Sequence, residues 1–202
     1  MKSKIVSIAL AALMVTGFAQ AGLNMIPNPS FEVGSGDMPD CWQVLQSEDK
    51  IEWVTDTNTG SKSMKLSYNN PEAIIASIDL IPVTAGTEYR FNAWIKSIDG
   101  AIADGTNLRL SWKDAAGNSV GGAWNGMSWY GVEVDGNWSE YNAVTMEAPE
   151  GAVAVEHAWL YTWKAGAKTG VYIGDVSMTA VPEPMTLCLL GLGGLMLRRK
   201  KA

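Results

Sequence analysis

Glu88-Tyr89-Arg90-Phe91-Asn92-Ala93-Trp94-Ile95-Lys96 is the stretch on which the fold turns. In an extended chain Tyr89, Phe91, Ala93 and Ile95 fall on one side and Arg90, Asn92, Trp94 and Lys96 on the other. That period of two belongs to a strand with one buried face; a helix would scatter both sets around its circumference. The same alternation recurs in Ser63–Tyr68, where Met64, Leu66 and Tyr68 oppose Lys65 and Ser67. It recurs again where Leu108, Leu110 and Trp112 oppose Arg109, Ser111 and Lys113. Val171, Ile173 and Val176 lead a last strand interrupted at Gly174-Asp175. Turn formers stand between the runs: Thr84-Ala85-Gly86, Asp114 to Asn118, Asp135-Gly136-Asn137 and Ala148-Pro149-Glu150-Gly151. No amphipathic helical stretch, internal repeat or linker interrupts them. The expectation is an all-β chain whose middle forms a single β-sandwich of two antiparallel sheets. A domain of about 160 residues buries roughly 70% of its unfolded surface, so it needs no disulfide framework.

The two ends read differently from the middle. Residues 1–21 have a basic start at Lys2 and Lys4, an apolar run from Ile5 to Phe18, and Ala19-Gln20-Ala21 as a small-x-small cleavage site. This is the pattern of a secretory signal peptide, to be removed by signal peptidase. At the other end Met185–Leu197 is apolar over 13 residues and is followed by Arg198, Arg199, Lys200 and Lys201. As a short hydrophobic helix it covers about 20 Å against a hydrocarbon core of about 30 Å, which is marginal for a permanent span. The basic tail would hold its C-terminal end in the cytoplasm and leave the domain outside. Val181-Pro182-Glu183-Pro184, then a Gly/Leu-rich apolar segment, then basic residues, resembles the PEP-CTERM sorting signal. The resemblance implies an exosortase-type membrane protease as partner, a membrane-inserted precursor with transient membrane contact, and an association with exopolysaccharide. Localisation is then to the cell envelope, outer surface or extracellular matrix. Three segments result: a signal peptide at 1–21, the domain at 22–180 and the sorting signal at 181–202.

Charge narrows the partners. The chain of 202 residues has a formal net charge of −6, but Gly22–Val181 alone carries 9 basic and 20 acidic residues. A surface that acidic repels phosphate backbones and argues against nucleic acid. Removing the tail removes Cys188, which leaves Cys41 as a small buried hydrophobe beside Trp42. The single histidine excludes multi-His metal sites.

The order of landmarks across residues 24–178 resembles the galactose-binding-like jelly rolls, in particular the carbohydrate-binding modules of families four and nine. The opening strand is matched by Asn24 to Glu32 with Pro39 and Trp42, and the next landmark by Thr59 to Leu66. Val83 to Lys96, Asn137-Trp138, Ala148 to Ala152, and Val171 to Met178 follow in order. The resemblance implies a jelly roll of two sheets. Glu32, ending the first strand, and Asp175, near the end of the last, are then two hard oxygen ligands that such a fold can bring together. The turn Gly60-Ser61-Lys62-Ser63 can add carbonyls. Calcium takes about 6–8 oxygens, and in the resembling family these equivalents commonly hold a structural calcium. Gly174 stands where many relatives place a second Asp. Asp56-x-Asn58-x-Gly60 hints at a calcium loop but lacks the downstream bidentate Glu.

Nine tryptophans exceed what a core of this size needs. Trp42, Trp53, Trp112 and Trp138 sit at strand-like positions and read as core. In Val153–Trp163 one face carries Val153, Val155, His157, Trp159, Tyr161 and Trp163, the other Ala154, Glu156, Ala158, Leu160 and Thr162. Both faces hold apolar residues, so the period leaves open which is inside. If Ala158 and Leu160 pack inward, Trp159, Tyr161, Trp163 and His157 line an open sheet face. A second cluster, Trp124, Trp129 and Tyr130, stands among glycines between Gly121 and Gly131. An aromatic plane covers the apolar C–H face of a sugar ring while polar side chains bond its hydroxyl rim. Covering about 100 Å² of one Trp is worth roughly 2.5 kcal/mol before ordering costs. Equally, these rings can be core or can tuck over a sheet end.

No Ser or Cys nucleophile motif accompanies His157, and no metalloprotease, P-loop or dinucleotide fingerprint is present. A glycosidase needs only two facing carboxylates, and nothing singles out a pair. The sequence therefore reads as an exported, non-catalytic carbohydrate-binding protein that retains polysaccharide or oligosaccharide. The alternatives are a structural envelope or matrix protein without sugar specificity, and a small glycoside-acting enzyme.

Overall fold

In the computed structural model Tyr89, Phe91, Ala93 and Ile95 are buried, Arg90 is exposed, and Trp94 and Lys96 are half-buried. The alternation that opened the sequence therefore has the inward face assigned to it. The structure describes residues 22–67, 72–100, 103–121, 127–162 and 170–182, with the backbone alone for 103–105, 127–134, 142–145 and 161. The expected signal peptide and the expected helix at 185–197 lie outside the described residues. Within them, no helix is long and apolar enough to cross a membrane.

A short hairpin, β1 (Gly34–Ser35) and β2 (Met38–Pro39), comes first. It is followed by β3 (Trp42–Gln46), a single 3₁₀ turn at Glu48–Lys50, β4 (Ile51–Val54) and β5 (Ser63–Ser67). Next come β6 (Ala73–Ser77), β7 (Ile81–Pro82), β8 (Glu88–Ser97) and β9 (Ala103–Lys113). The last four are β10 (Met127–Val134), β11 (Ser139–Glu147), β12 (Ala154–Thr162) and β13 (Gly170–Ala180). They form two antiparallel sheets: one runs β10-β9-β12-β6-β3 with β7 added beside β12, the other β11-β8-β13-β5-β4. This is the jelly-roll sandwich.

The core lies between the sheets. Met64, Leu66, Phe91, Ile95, Ile173 and Met178 come from one, Ile75, Leu108, Leu110, Trp112 and Leu160 from the other, each 0–1% exposed. Truncating one of these large side chains to Ala costs about 3 kcal/mol, the transfer term plus the cavity left behind. Turn chemistry closes the connections between strands as expected. Asp114 Oδ1 accepts the backbone N–H of Ala116 and Asn118 at 2.9 and 2.8 Å, and Asp135 Oδ1 that of Asn137 at 2.8 Å.

Three expectations change. The segment 24–33 is not a strand; the first strand starts at Gly34, and Glu32 precedes it in irregular chain. That segment is docked by its asparagines instead. Asn24 Nδ2 donates to Val176 O at 2.9 Å while its Oδ1 accepts Met178 N–H at 3.0 Å, so the side chain copies a strand's pairing edge beside β13. Asn28, with φ 45°, donates to Val33 O and Asp40 O, and Phe31 drops into the core against Trp42, ring centroids 4.9 Å apart. Trp138 is not core: it is half-buried on the outer side of the five-stranded sheet. Cys41 is only partly buried, with φ 68°, and burial together with Asp79 and Asp40 pushes its thiol above the ordinary range.

Candidate functional site

Among the described residues five register shifts set which side chains face outward, and the one on β12 decides the site. Val155 pairs with Trp112 and His157 with Ser111, so two steps along β12 match one along β9 and Glu156 is the extra residue. An extra residue reverses parity. Val155 therefore shares the core face with Ala158 and Leu160, all 0% exposed, while His157 and Trp159 point away from the core. The ambiguity between the two faces of 153–163 comes from reading a bulged strand as a straight one.

Cross-strand partners share a face, and the register builds one across this sheet. Trp129 is opposite Arg109, Arg109 opposite Trp159, Trp159 opposite Ala76, and Ala76 opposite Gln43. In the neighbouring row Gly131, Asn107, Tyr161, Ile74 and Gln46 are partners in turn. On the other flank Met127, Ser111 and His157 line up. The structure thus brings the register positions Trp129, Trp159 and Tyr161 to one sheet face. Tyr130 lies in the adjacent position, partner of the core residue Leu108. Trp124 and Trp163 lie outside the described residues.

The middle of this face is polar and covered. Asn107, Arg109 and Ser111 are 4%, 7% and 3% exposed, although they alternate with core residues and point the other way. Trp159 supplies part of the cover: its Nε1 donates to Ser111 Oγ at 2.6 Å, and the Arg109 guanidinium carbon lies 5.6 Å from its ring centroid. His157 meets the edge of Trp159 at 5.7 Å and has its Nδ1 2.9 Å from Ser77 O. A carbonyl can only accept, so Nδ1 carries the proton and Nε2 of the neutral ring is an acceptor. Trp159 is held in place from two sides, which lowers the ordering cost of any ligand that stacks on it. Arg109, Asn107 and Ser111 were not singled out by sequence; their strict alternation with Leu108, Leu110 and Trp112 was the available signal. Glu72 accepts from Gln46 at 2.7 Å and Glu156 pairs with Lys113 at 3.3 Å, so these two carboxylates are engaged in local contacts.

Glu32 and Asp175 converge on one turn. Glu32 Oε1 accepts the backbone N–H of Ser61 and Lys62 at 2.8 and 2.9 Å, and Oε2 the Ser61 hydroxyl at 2.5 Å. Those bonds hold its carboxyl below the usual carboxylate range. Asp175 sits in the bulge of β13 at φ 48° and accepts from Asn58 Nδ2 at 2.9 Å and Thr59 Oγ1 at 2.7 Å. Gly60, φ 68°, lies between them, and a Cβ there would collide with Glu32 Oε1. Two carboxylates therefore latch the two halves of turn 58–62. Among the described residues no cluster of three or more His, Cys, Asp or Glu forms. The groups that meet the two carboxylates here are two backbone N–H groups, two hydroxyls and the Asn58 amide N–H. The carboxylates and hydroxyls among them are oxygen groups of the kind a hard cation takes.

No protein-family model matches the chain, and no curated protein matches it. Solved structures do. The enzymatically active domain of tailspike protein 4 from bacteriophage CBA120 is similar at TM-score 0.60 and 17% identity, over 78% of this chain and 21% of that one. The xylan-binding domain CBM22-1 of Paenibacillus barcinonensis Xyn10C is similar at TM-score 0.54 and 15% identity, over 82% of this chain and 99% of that one. The CBM22-1–GH10 modules of Clostridium thermocellum xylanase 10B, complexed with xylohexaose, are similar at TM-score 0.54 and 18% identity, over 81% and 29%. This chain spans only about a fifth of the tailspike domain's length. At these identities the likeness is one of fold: the chain has the jelly roll found in carbohydrate-binding modules.

Proposed function

We propose that this chain is an exported, non-catalytic carbohydrate-binding protein that retains surface or matrix polysaccharide on the outer face of its six-stranded sheet. The observation that carries the reading is the row Trp129–Arg109–Trp159, with Trp159 fixed by Ser111 and stacked over Arg109. A fixed aromatic plane suits the apolar C–H face of a sugar ring, and the covered polar groups behind it hold that plane in place. The xylan-binding domain and the xylohexaose complex named above support the same class of ligand.

Export and sorting belong to the same proposal. β13 ends at Ala180, Val181 N–H still donates to Glu88 O at 2.8 Å, and Pro182 is exposed. The Val181-Pro182-Glu183-Pro184 motif thus begins directly after the last strand, and an exosortase-type protease is its proposed reader. Calcium is the proposed cation at turn 58–62, held by Glu32 and Asp175, where it would tie the N-terminal segment to β13.

The test is native electrophoresis through gels containing neutral and charged polysaccharides. Retardation by a glycan that weakens at least about tenfold in Trp159→Ala is expected. Unchanged mobility with every polymer would leave a structural envelope or matrix protein as the better reading.

A further inference from the structure

The opposite side of the sandwich carries a second aromatic surface that the proposed site does not use. Trp138 and Tyr172 lie with ring centroids 6.5 Å apart on the outer side of the five-stranded sheet. Lys96 is placed between them, its Nζ 5.4 Å from the Trp138 centroid and 5.0 Å from that of Tyr172. Asp56 holds that ammonium at 2.5 and 2.6 Å and also accepts from Trp138 Nε1 at 3.3 Å. Trp94 belongs to the same face, beside Gly174 in the register, and a Cβ at Gly174 would stand 3.7 Å from the Trp138 ring. All three aromatics are half-buried. Outward positions of a strand in water are ordinarily polar, so three partly uncovered rings on one outer face need a reason.

We infer that this face is a second glycan-binding surface, taking a neutral polysaccharide, so that one domain joins two polysaccharide chains. Local charge selects the ligand class. Lys96 is neutralised by Asp56, and Lys65, next across the sheet from Tyr172, is neutralised by Glu52 at 2.5 Å. That row balances its own charges, and Glu140, exposed opposite Trp94, adds a negative charge that disfavours a polyanion, within a domain otherwise strongly acidic. The Asp56–Lys96 clamp fixes both rings before any ligand arrives, which removes part of the ordering cost of stacking. Stacked sheets lie about 10 Å apart, and their outer faces point in opposite directions. A single extended chain cannot lie on both, so two occupied faces mean a cross-link. The inference rests on the chain being a carbohydrate-binding protein but not on which face binds more tightly.

Calorimetric titration of the full chain with neutral oligosaccharides, xylohexaose among them, tests it against uronate-containing ones of the same length. Two sites per chain are expected for a neutral oligosaccharide, falling to one in Tyr172→Ala and to one in Trp159→Ala. Trp138→Ala is the companion variant; because it also frees Asp56, its fold is checked by near-ultraviolet circular dichroism. One site, lost in Trp159→Ala and untouched by Tyr172→Ala and Trp138→Ala, overturns the second surface and leaves the proposed function standing. One site with the opposite sensitivities moves glycan binding to this face and overturns both the first site and the cross-link. No heat with any neutral glycan, or heat only with the uronates, overturns this inference outright.

Discussion

Glu32 shows how much one side chain does here. Its carboxylate collects three donors from Ser61 and Lys62, and those bonds depress its pKa because they favour the charged form. A depressed folded pKa means a contribution fully present above the unfolded value of about 4.3 and lost as pH falls through the folded value. Urea titrations between pH 7 and 3 should therefore show wild type losing more stability than Glu32→Gln on acidification. Parallel curves would mean that the latch carries no charge-dependent stability. Gly60→Ala tests the same turn by backbone. With φ at 68° and no room for a Cβ against Glu32, it should lose on the order of 1–2 kcal/mol in chemical denaturation. Combined with Glu32→Ala the loss should be less than additive, since both changes break one contact. On the binding face, Trp159→Phe keeps a ring but loses the N–H to Ser111, so it should fall between wild type and Trp159→Ala in glycan retardation.

At the level of elements, the bulges distinguish what can be removed from what cannot. Glu156 is the residue that β9 does not match, so deleting it restores plain alternation while Val155 stays inward and His157 outward. That deletion should give a soluble, folded protein with wild-type tryptophan circular dichroism. Deleting Ala158 instead moves Trp159 to a core position and Leu160 to solvent, and should give no folded product. If both deletions fold alike, β12 does not carry the face assignment. The alternation of β8 and β9 was legible because the core residues of each keep one parity, Phe91 with Ile95 and Leu108 with Leu110, and β13 was legible because the break in its pattern at Gly174-Asp175 marks its bulge. β12 was not, because its apolar residues change sides within one strand. Trp138 was misread for a related reason: it stands between the Asp135 turn and β11, where no alternation exists to orient it. The Asn24–Glu32 segment was recognisable as a landmark but not as an asparagine-pinned loop, since Asn24 finds its partners about 150 residues away.

For the whole molecule, charge and stacking make separable forecasts. The domain is acidic while the proposed binding surfaces rely on rings and local hydrogen bonds. Retention of a neutral glycan should therefore vary little between about 0.05 and 0.5 M NaCl, whereas an ionic partner would be released as the screening length shrinks. Glu32 and Asp175 tie the N-terminal segment, turn 58–62 and β13 together at one edge of the sandwich, and the proposed cation would strengthen that tie. A chelator should lower the Tm of wild type and leave that of Glu32→Gln unmoved; a wild-type Tm indifferent to chelator would remove calcium from the account.

The sequence alone determines that this chain is all-β, which face of most strands is buried, where the hairpins turn, and that both ends read as addresses. Those properties are local: strand period, turn chemistry and terminal hydropathy need only a few neighbouring residues. Tertiary structure alone decides that β12 presents His157 and Trp159 outward, that Arg109 lies between Trp129 and Trp159, and that Trp138 joins Tyr172 around Lys96. It also decides that Asp175 meets Asn58, 117 residues earlier in the chain. Bulges and convergences depend on which strand lies alongside, and pairing partners chosen across the whole chain leave no periodic mark in the residues they join.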